Sequence, residues 1–261
     1  MFPLKDDIPT RGFPIVTVAI IAINVVMFFV FQEAFFGSQE TFDSRVVEYG
    51  AIPYEITHPG EQCAIADNAE QLVCEGQPGV SGEAPDQAPT WLTVLTSMFM
   101  HGGLLHIGGN MLFLWIFGNN IEDSMGKGRF VAFYLLGGLV AVLAQTVIEP
   151  NAAVPTIGAS GAVAGVLGGY ALLYPRARVV TLLFIVIFFT IVELPALLVL
   201  GAWFALQALS GATELTQPVG DGGGVAYFAH IGGFLFGLAT IKLFANRVHE
   251  DYERAHRTPV Y

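Results

Sequence analysis

Gly158-Ala159-Ser160-Gly161-Ala162-Val163-Ala164-Gly165-Val166-Leu167-Gly168-Gly169 is an apolar stretch laddered with glycine and opened by one hydroxyl. Gly161, Gly165 and Gly169 recur every four residues, on one face of a helix. Small-xxx-small faces of this kind let helix backbones approach closely in lipid. The stretch therefore reads as a helix packed among others in a membrane. It begins at Ser160 and stops at Tyr174-Pro175, about 15 residues or ~22 Å, against a hydrocarbon core of ~30 Å. Too short to cross alone, it starts ~10 Å below one surface, and residues 150–159 must dip inward to reach it. Irregular backbone at that depth is tolerated only where protein buries it or where it lines a cavity.

Working outward, the rest of the chain fits that setting. Of 261 residues, 54% are hydrophobic and 13% are charged, with 21 Phe, far from a soluble average. Apolar runs at 13–31, 104–117, 130–148, 192–209 and 225–244 join 160–174 to make six spans. The expected fold is all-α, a polytopic bundle of six transmembrane helices over 13–244. Residues 1–12 and 245–261 are polar tails, and 36–89 form a large acidic loop. No strand-by-strand alternation of a closed barrel appears. Segment 90–100 reads as interfacial, and Asn119, Asn120, Glu122 and Asp123 as the end of the second span. The tract 179–190 reads as a re-entrant or interfacial approach, divided from the fifth span by Glu193 and Pro195. The first span has a basic flank, but no small-x-small cleavage site follows it, so it is expected to be an uncleaved anchor.

Orientation follows from the basic residues. Lys5, Arg11, Lys127, Arg129, Arg176, Arg178, Lys242, Arg247, Arg254 and Arg257 fall on one side of the six-span arrangement and only Arg45 on the other. Positive charge marks the cytosolic side, so both termini are expected there and the acidic loop outside. Eleven of the 22 acidic residues lie between Glu33 and Asp86. The net charge of −11 speaks against nucleic acid as a partner. The loop holds both cysteines, Cys63 and Cys74, with ten residues between them. Outside the cytosol a disulfide between them is favoured; two free thiols are the alternative. A bacterial plasma membrane is expected, because no long targeting extension precedes the first span.

In this topology His106 and Asn110 of the second span, Ser160 of the fourth and His230 of the sixth converge at one level near the external side. His106 and Asn110 are four apart and share a helix face. Gly233 and Gly237, also four apart, lie on the face of His230, so the fourth and sixth spans can approach closely enough for a Ser160–His230 hydrogen bond. A neutral imidazole there can take the hydroxyl proton as the serine attacks a carbonyl. A serine at a helix start offers its own free backbone N–H and the positive end of the dipole, and His106 and Asn110 offer side-chain donors for the oxyanion. No acidic third member is evident, which makes the arrangement a Ser–His dyad. Metal chemistry is not expected. His101 and His106 stand ~140° apart around a helix, and no His-Glu-x-x-His motif exists. Gly158-x-Ser160-x-Ala162 lacks the second glycine of the soluble-hydrolase elbow.

His101-xxxx-His106-xxx-Asn110-Met111, Gly158-Ala159-Ser160-Gly161 and Ala229-His230-Ile231-Gly232-Gly233, in this order and on these spans, resemble the three signatures of rhomboid intramembrane serine proteases. The resemblance covers about 91–244, including Gly118, Glu122, Gly126, Arg129-Phe130, Pro195-Ala196, Trp203-Phe204 and Gln207. It implies Ser160 as nucleophile, His230 as general base, and His106, Asn110 and the Ser160 amide as oxyanion hole, with His101 in support. It further implies single-pass transmembrane proteins as substrates, no cofactor, entry past the fifth span and a lid at 210–224. Oligomeric state stays open.

The sequence departs from the family in three places. Ala164 stands where many relatives carry an aromatic residue that stacks on the catalytic histidine, leaving Tyr227 and Phe228 as candidates to orient His230. Trp91 is followed by Leu92-Thr93 rather than arginine. The acidic loop is this chain's own elaboration. Two rival functions are weaker: an inactive escort protein is expected to lack Ser160 or His230, and a transporter to show inverted repeats, of which none is found.

Overall fold

The computed structural model describes residues 2–66, 72–81, 84, 87–185, 188–215 and 225–246. In chain order these form β1 (Phe2–Asp6), α1 (Ile15–Val26, continued by a wide turn Met27–Phe31), α2 (Gln39–Tyr49), α3 (Pro53–Thr57), β2 (Cys63–Ile65) and β3 (Leu72–Cys74). There follow α4 (Thr90–Thr96), α5 (Leu104–Phe113), α6 (Asn119–Met125), α7 (Lys127–Ile148) and α8 (Ser160–Leu173). The chain closes with β4 (Arg178–Ile185), β5 (Phe188–Pro195), α9 (Ala196–Glu214) and α10 (Tyr227–Phe244). Among the described residues, α7, α9 and α10 are each long and apolar enough to cross a membrane, while Ile15–Phe31, Thr90–Phe99 and Ser160–Leu173 are shorter apolar helices.

α8 is the axis of the bundle, with every residue from Gly161 to Ala171 buried. Glycine explains how α10 lies so close to it. A Cβ placed on Gly233 would fall 2.0 Å from the Gly161 carbonyl oxygen, one on Gly237 1.9 Å from that of Gly165, and one on Gly168 2.1 Å from that of Phe234. The two helices therefore pack backbone on backbone, which dispersion rewards in lipid where no hydrophobic drive exists. α7 closes a third side, its Ala141 and Ala144 methyls filling the space that a Cβ on Gly161 or Gly232 would need. Phe130, Phe133, Tyr170, Val166, Leu167 and Ile241 complete the core around this triple contact.

The polar residues expected to end the second span do not end it. α5 runs through a wide turn at Leu114–Gly118 into α6, which reaches Met125. Three of these polar side chains have partners on the N-terminal segment, Asn120 through its NH₂, Glu122 and Asp123 through their carboxylates. The Glu122 carboxylate accepts from the backbone N–H groups of Val16 and Thr17 and from the Thr17 hydroxyl, capping the first turn of α1, where free donors and the dipole favour an anion. Asn120 donates to Asp6 at 2.6 Å.

Three further expectations change. The chain is not all-α. The tract read as a re-entrant approach is a β-ribbon, with β4 antiparallel to β5 and also to β1, so residues read as a polar tail form the third strand. Val179, Val180, Thr181, Ile191 and Val192 are β-branched and suit a strand, but an unbroken apolar run has no periodicity that separates strand from helix. The fifth span starts at Ala196 rather than 192, because Pro195 ends β5 and Ala196 and Leu197 donate to the carbonyls of Ala177 and Pro175. The span continues to Glu214, through the start of the 210–224 loop; the remainder of that loop and the tail beyond Asn246 lie outside the described residues.

Part of the acidic loop folds onto the segment that leads into α8. Cys63 and Cys74 face each other across the β2–β3 hairpin and are joined by a disulfide. Ile52, Tyr54 and both cysteines form a separate small core. Ala51 and Thr156 exchange backbone hydrogen bonds, Tyr54 N–H donates to the Ala152 carbonyl, and the Thr57 hydroxyl to that of Pro150.

Candidate active site

Ser160 is the first residue of α8, preceded by Ala159, so its N–H has no partner within the helix. The approach to it is fixed at Gly158, whose N–H donates to the Ser97 carbonyl at 2.8 Å and whose φ is +122°. Only glycine adopts that backbone readily. It also leaves a notch. A Cβ on Gly158 would stand 2.6 Å from His106 Nε2 and 3.4 Å from Ser160 Oγ.

His230 lies in the first turn of α10, where the Gln145 side chain of α7 accepts the N–H of Ala229 at 3.1 Å. The imidazole Nε2 is 2.7 Å from Ser160 Oγ, and Nδ1 is 2.7 Å from Gln207 Oε1 of α9. Trp203, one turn before Gln207 on the same face of α9, sets its ring 5.8 Å from the imidazole at an interplanar angle of 38°. The residues that orient the histidine are thus on α9. Tyr227 and Phe228 do not fill that place; both lie where a Cβ on Gly211 would meet them. Ala164 is buried at the α8–α10 crossing, 3.4 Å from where a Cβ on Gly233 would lie.

α5 carries the two polar side chains His106 and Asn110. His106 Nδ1 accepts the backbone N–H of Gly102 at 3.2 Å, so in the neutral ring the proton sits on Nε2, at the Gly158 notch. Asn110, nine-tenths buried, has a side-chain NH₂ with no hydrogen-bond partner among the described residues. An orphan donor at such depth is costly. His101 is fully buried, its ring edge-on to that of His106 at 5.1 Å and near Phe28. Its backbone N–H and carbonyl are both engaged by the side chain of Gln32 in the turn after α1. A cavity of about 20 Å³ lies beside the serine, lined by Ser97, Gly138, Ala141, Thr156, Ser160 and Ala229 among others, roomy enough for a water molecule.

Gln207, Gln145 and Gln32 have no role in the sequence reading beyond the first one's part in the resemblance. Each had a signal. Gln207 is the single amide in the apolar run 196–209, and Gln145 the single one in 130–148; polar groups at membrane depth are expensive and usually have a partner.

Residues 88–247 match the model of the Rhomboid domain. The chain is 31% identical over 173 residues to Rhomboid protein 1, mitochondrial, of Saccharomyces cerevisiae, covering 65% of this chain and 46% of the yeast protein. It is 30% identical over 164 residues to Rhomboid protease GluP of Bacillus subtilis, covering 63% and 25%. With the human Presenilin-associated rhomboid-like protein, mitochondrial, identity is 29% over 150 residues, covering 56% and 36%. The chain spans less than half the length of these relatives.

Proposed function

This chain belongs to the rhomboid family of integral membrane proteins, and from that premise we propose that it is an intramembrane serine endopeptidase working through Ser160 and His230. The observation that carries the reading is the 2.7 Å contact between His230 Nε2 and Ser160 Oγ, with His106 Nε2 at the glycine notch beside it. In the proposed reaction Ser160 Oγ attacks the peptide carbonyl while His230 Nε2 takes its proton. The oxyanion accepts hydrogen bonds from the Ser160 N–H, the His106 Nε2–H and the Asn110 NH₂. In a site closed to bulk water one such donor contributes ~3 kcal/mol. Collapse expels the amine, which leaves with the proton from His230. Water then attacks the acyl-serine with the same imidazole as base, and the C–Oγ bond breaks as His230 returns the proton to Ser160 Oγ and the acid product leaves; the cavity beside Ser160 is a place from which that water can come.

The substrates we infer are transmembrane proteins, since the serine opens a helix sunk within the bundle. Six spans with both termini cytosolic are the arrangement we adopt, with α5–α6 and α8 as the second and fourth. The described basic residues support it. Arg11 N–H bonds Asp123 at the end of α6, Lys5 pairs with β4, and Arg129 bonds the end of α10, all at the end of the bundle away from Ser160. The active site then opens to the external side, where the disulfide-bearing loop lies. For the membrane itself we infer a bacterial plasma membrane, with the Bacillus relative in support and the mitochondrial names of other relatives as the alternative.

The test is cleavage of a single-pass protein in proteoliposomes. Ser160→Ala and His230→Ala should each lower the rate by at least ~10³-fold with the fold unchanged. Product at the wild-type rate from either variant would remove the dyad.

A further inference from the structure

The dyad leaves open what chooses the protonation state of His230. To act as base, Nε2 must face Ser160 without a proton, which requires the proton on Nδ1. Nδ1 lies 2.7 Å from the Gln207 side-chain oxygen, and that oxygen can only accept. The opposite amide orientation would present NH₂ to Nδ1, force the ring proton onto Nε2 and leave a ring that cannot take one from serine. A neutral amide sets the tautomer without a buried carboxylate, whose charge would be costly at this depth.

Gln207 sits on α9, the least buried of the three long apolar helices among the described residues. Only Ala196, Val199, Leu200 and Gly211 of α9 are buried, while Leu197, Leu198, Leu206 and Leu209 are exposed. It meets α10 through side chains: Phe204 stacks on Phe234 with centroids 4.6 Å apart, and Trp203 lies against His230 and Phe234. A tilt of α9 that a backbone-packed helix could not make would carry Gln207 away from Nδ1.

Resting on the Ser160–His230 reading, we propose that Gln207 is the positioning residue of the site: its side-chain carbonyl accepts the Nδ1 proton of His230, holds bare Nε2 toward Ser160, and makes that state conditional on α9 being docked against α10. Among the described residues, the other titratable group that acts on His230 is His106 of α5, across the serine from α9.

Gln207→Leu keeps the volume and removes the acceptor. In the proteoliposome assay kcat should fall ~10- to 100-fold, up to the ~10²-fold that a small misplacement of a reacting group costs, with KM little changed, and labelling of Ser160 by a fluorophosphonate should slow by the same factor. Gln207→Glu restores an acceptor and stabilises the imidazolium, so it should recover labelling and move the acidic limb of the pH–rate profile to higher pH. Wild-type kcat in Gln207→Leu overturns the proposal. If that variant does not fold, an unshifted acidic limb in Gln207→Glu overturns it instead. Ser160→Ala run alongside separates the two readings: cleavage by Ser160→Ala sinks the dyad itself, whereas an inactive Ser160→Ala beside a fully active Gln207→Leu sinks only the role of Gln207.

Discussion

Two helices pack against α10 in opposite ways. α8 meets it with no side chain between, the would-be Cβ atoms of Gly233 and Gly237 falling about 2 Å from carbonyl oxygens of α8. α9 meets it through rings and one amide, and a Cβ on its Gly211 would lie 3.3 Å from Tyr227. The first interface is incompressible and the second can give. The proposed reacting pair spans the first, so the 2.7 Å Ser160–His230 distance is set by glycine contacts one and two turns away. Its orienting amide comes across the second. Rigidity lies along the line between Ser160 and His230, and compliance on the side of α9.

The contrast is tested most severely by giving each interface the same methyl group. Gly237→Ala or Gly233→Ala must push α10 from α8 or bend it, a strain of about 3 kcal/mol or more in a well-packed core. Activity should fall to the Ser160→Ala background, because a separation of even ~1 Å ends the Ser–His hydrogen bond. Gly211→Ala requires a neighbour to give by a few tenths of an ångström, and should cost about 1 kcal/mol or less with activity within a few-fold of wild type. Thermal unfolding in detergent and cleavage rates measure both. Equal tolerance at Gly237 and Gly211 would break the comparison.

These two interfaces also differ in how far the sequence reveals them. A four-residue glycine repeat is a local pattern with one physical meaning, and it foretold the close approach of Ser160 and His230. Side-chain interfaces leave no such trace. Gln207 reaches His230 only once α9 has been rotated and docked, and nothing in its spacing specifies that rotation. The β-ribbon was hidden for a different reason, since an apolar run of this length reads equally as strand or helix. The partner of β4 is a strand more than 170 residues earlier in the chain. The acidic loop looked like an addition apart from the site, whereas it braces residues 150–157 through backbone bonds that no side-chain pattern encodes.

The N-terminal strand is the next place to probe the rigid side, because it ties the β-ribbon to the α8 axis. Asp6 accepts from Tyr170 of α8 and from Asn120, each at 2.6 Å. Burial pushes its carboxyl up from 3.8 to about 6, against the lowering effect of the Tyr170 bond. The folded state therefore binds a proton that the detached strand does not between pH 3.8 and 6. Attachment of β1 strengthens as pH falls through about 6 and reaches its full strength below 3.8, a gain of about 3 kcal/mol at most. Hydrogen exchange in residues 2–6 and 178–182 should slow from pH 7.5 to pH 5 after correction for intrinsic rates. Asp6→Asn should abolish that dependence. Exchange in α8 should not follow it, since α8 is held from three sides by other contacts; a parallel change there would show that the strand and α8 open as one.

The smallest effect is expected at the external brace. The Cys63–Cys74 bond closes a short loop, and loop closure of this size restrains the unfolded chain by about 3 kcal/mol in the entropic account. That stabilisation stays local, because the small core of Ile52, Tyr54 and the two cysteines is separate from the core around α8. It reaches the site through contacts to backbone groups: the Ala51–Thr156 bridge, the Tyr54–Ala152 bond and the Thr57–Pro150 bond steady the segment that ends at the Gly158 notch. Gly158 itself is held independently by Ser97. Reduction, or the Cys63→Ser, Cys74→Ser pair, should therefore speed exchange in 50–58 and 150–157 by an order of magnitude or more while kcat drops only a few-fold. A loss of activity as deep as that of Gly237→Ala would mean that the notch is held from outside, and that the glycine-packed helices alone do not set the geometry of the reacting pair.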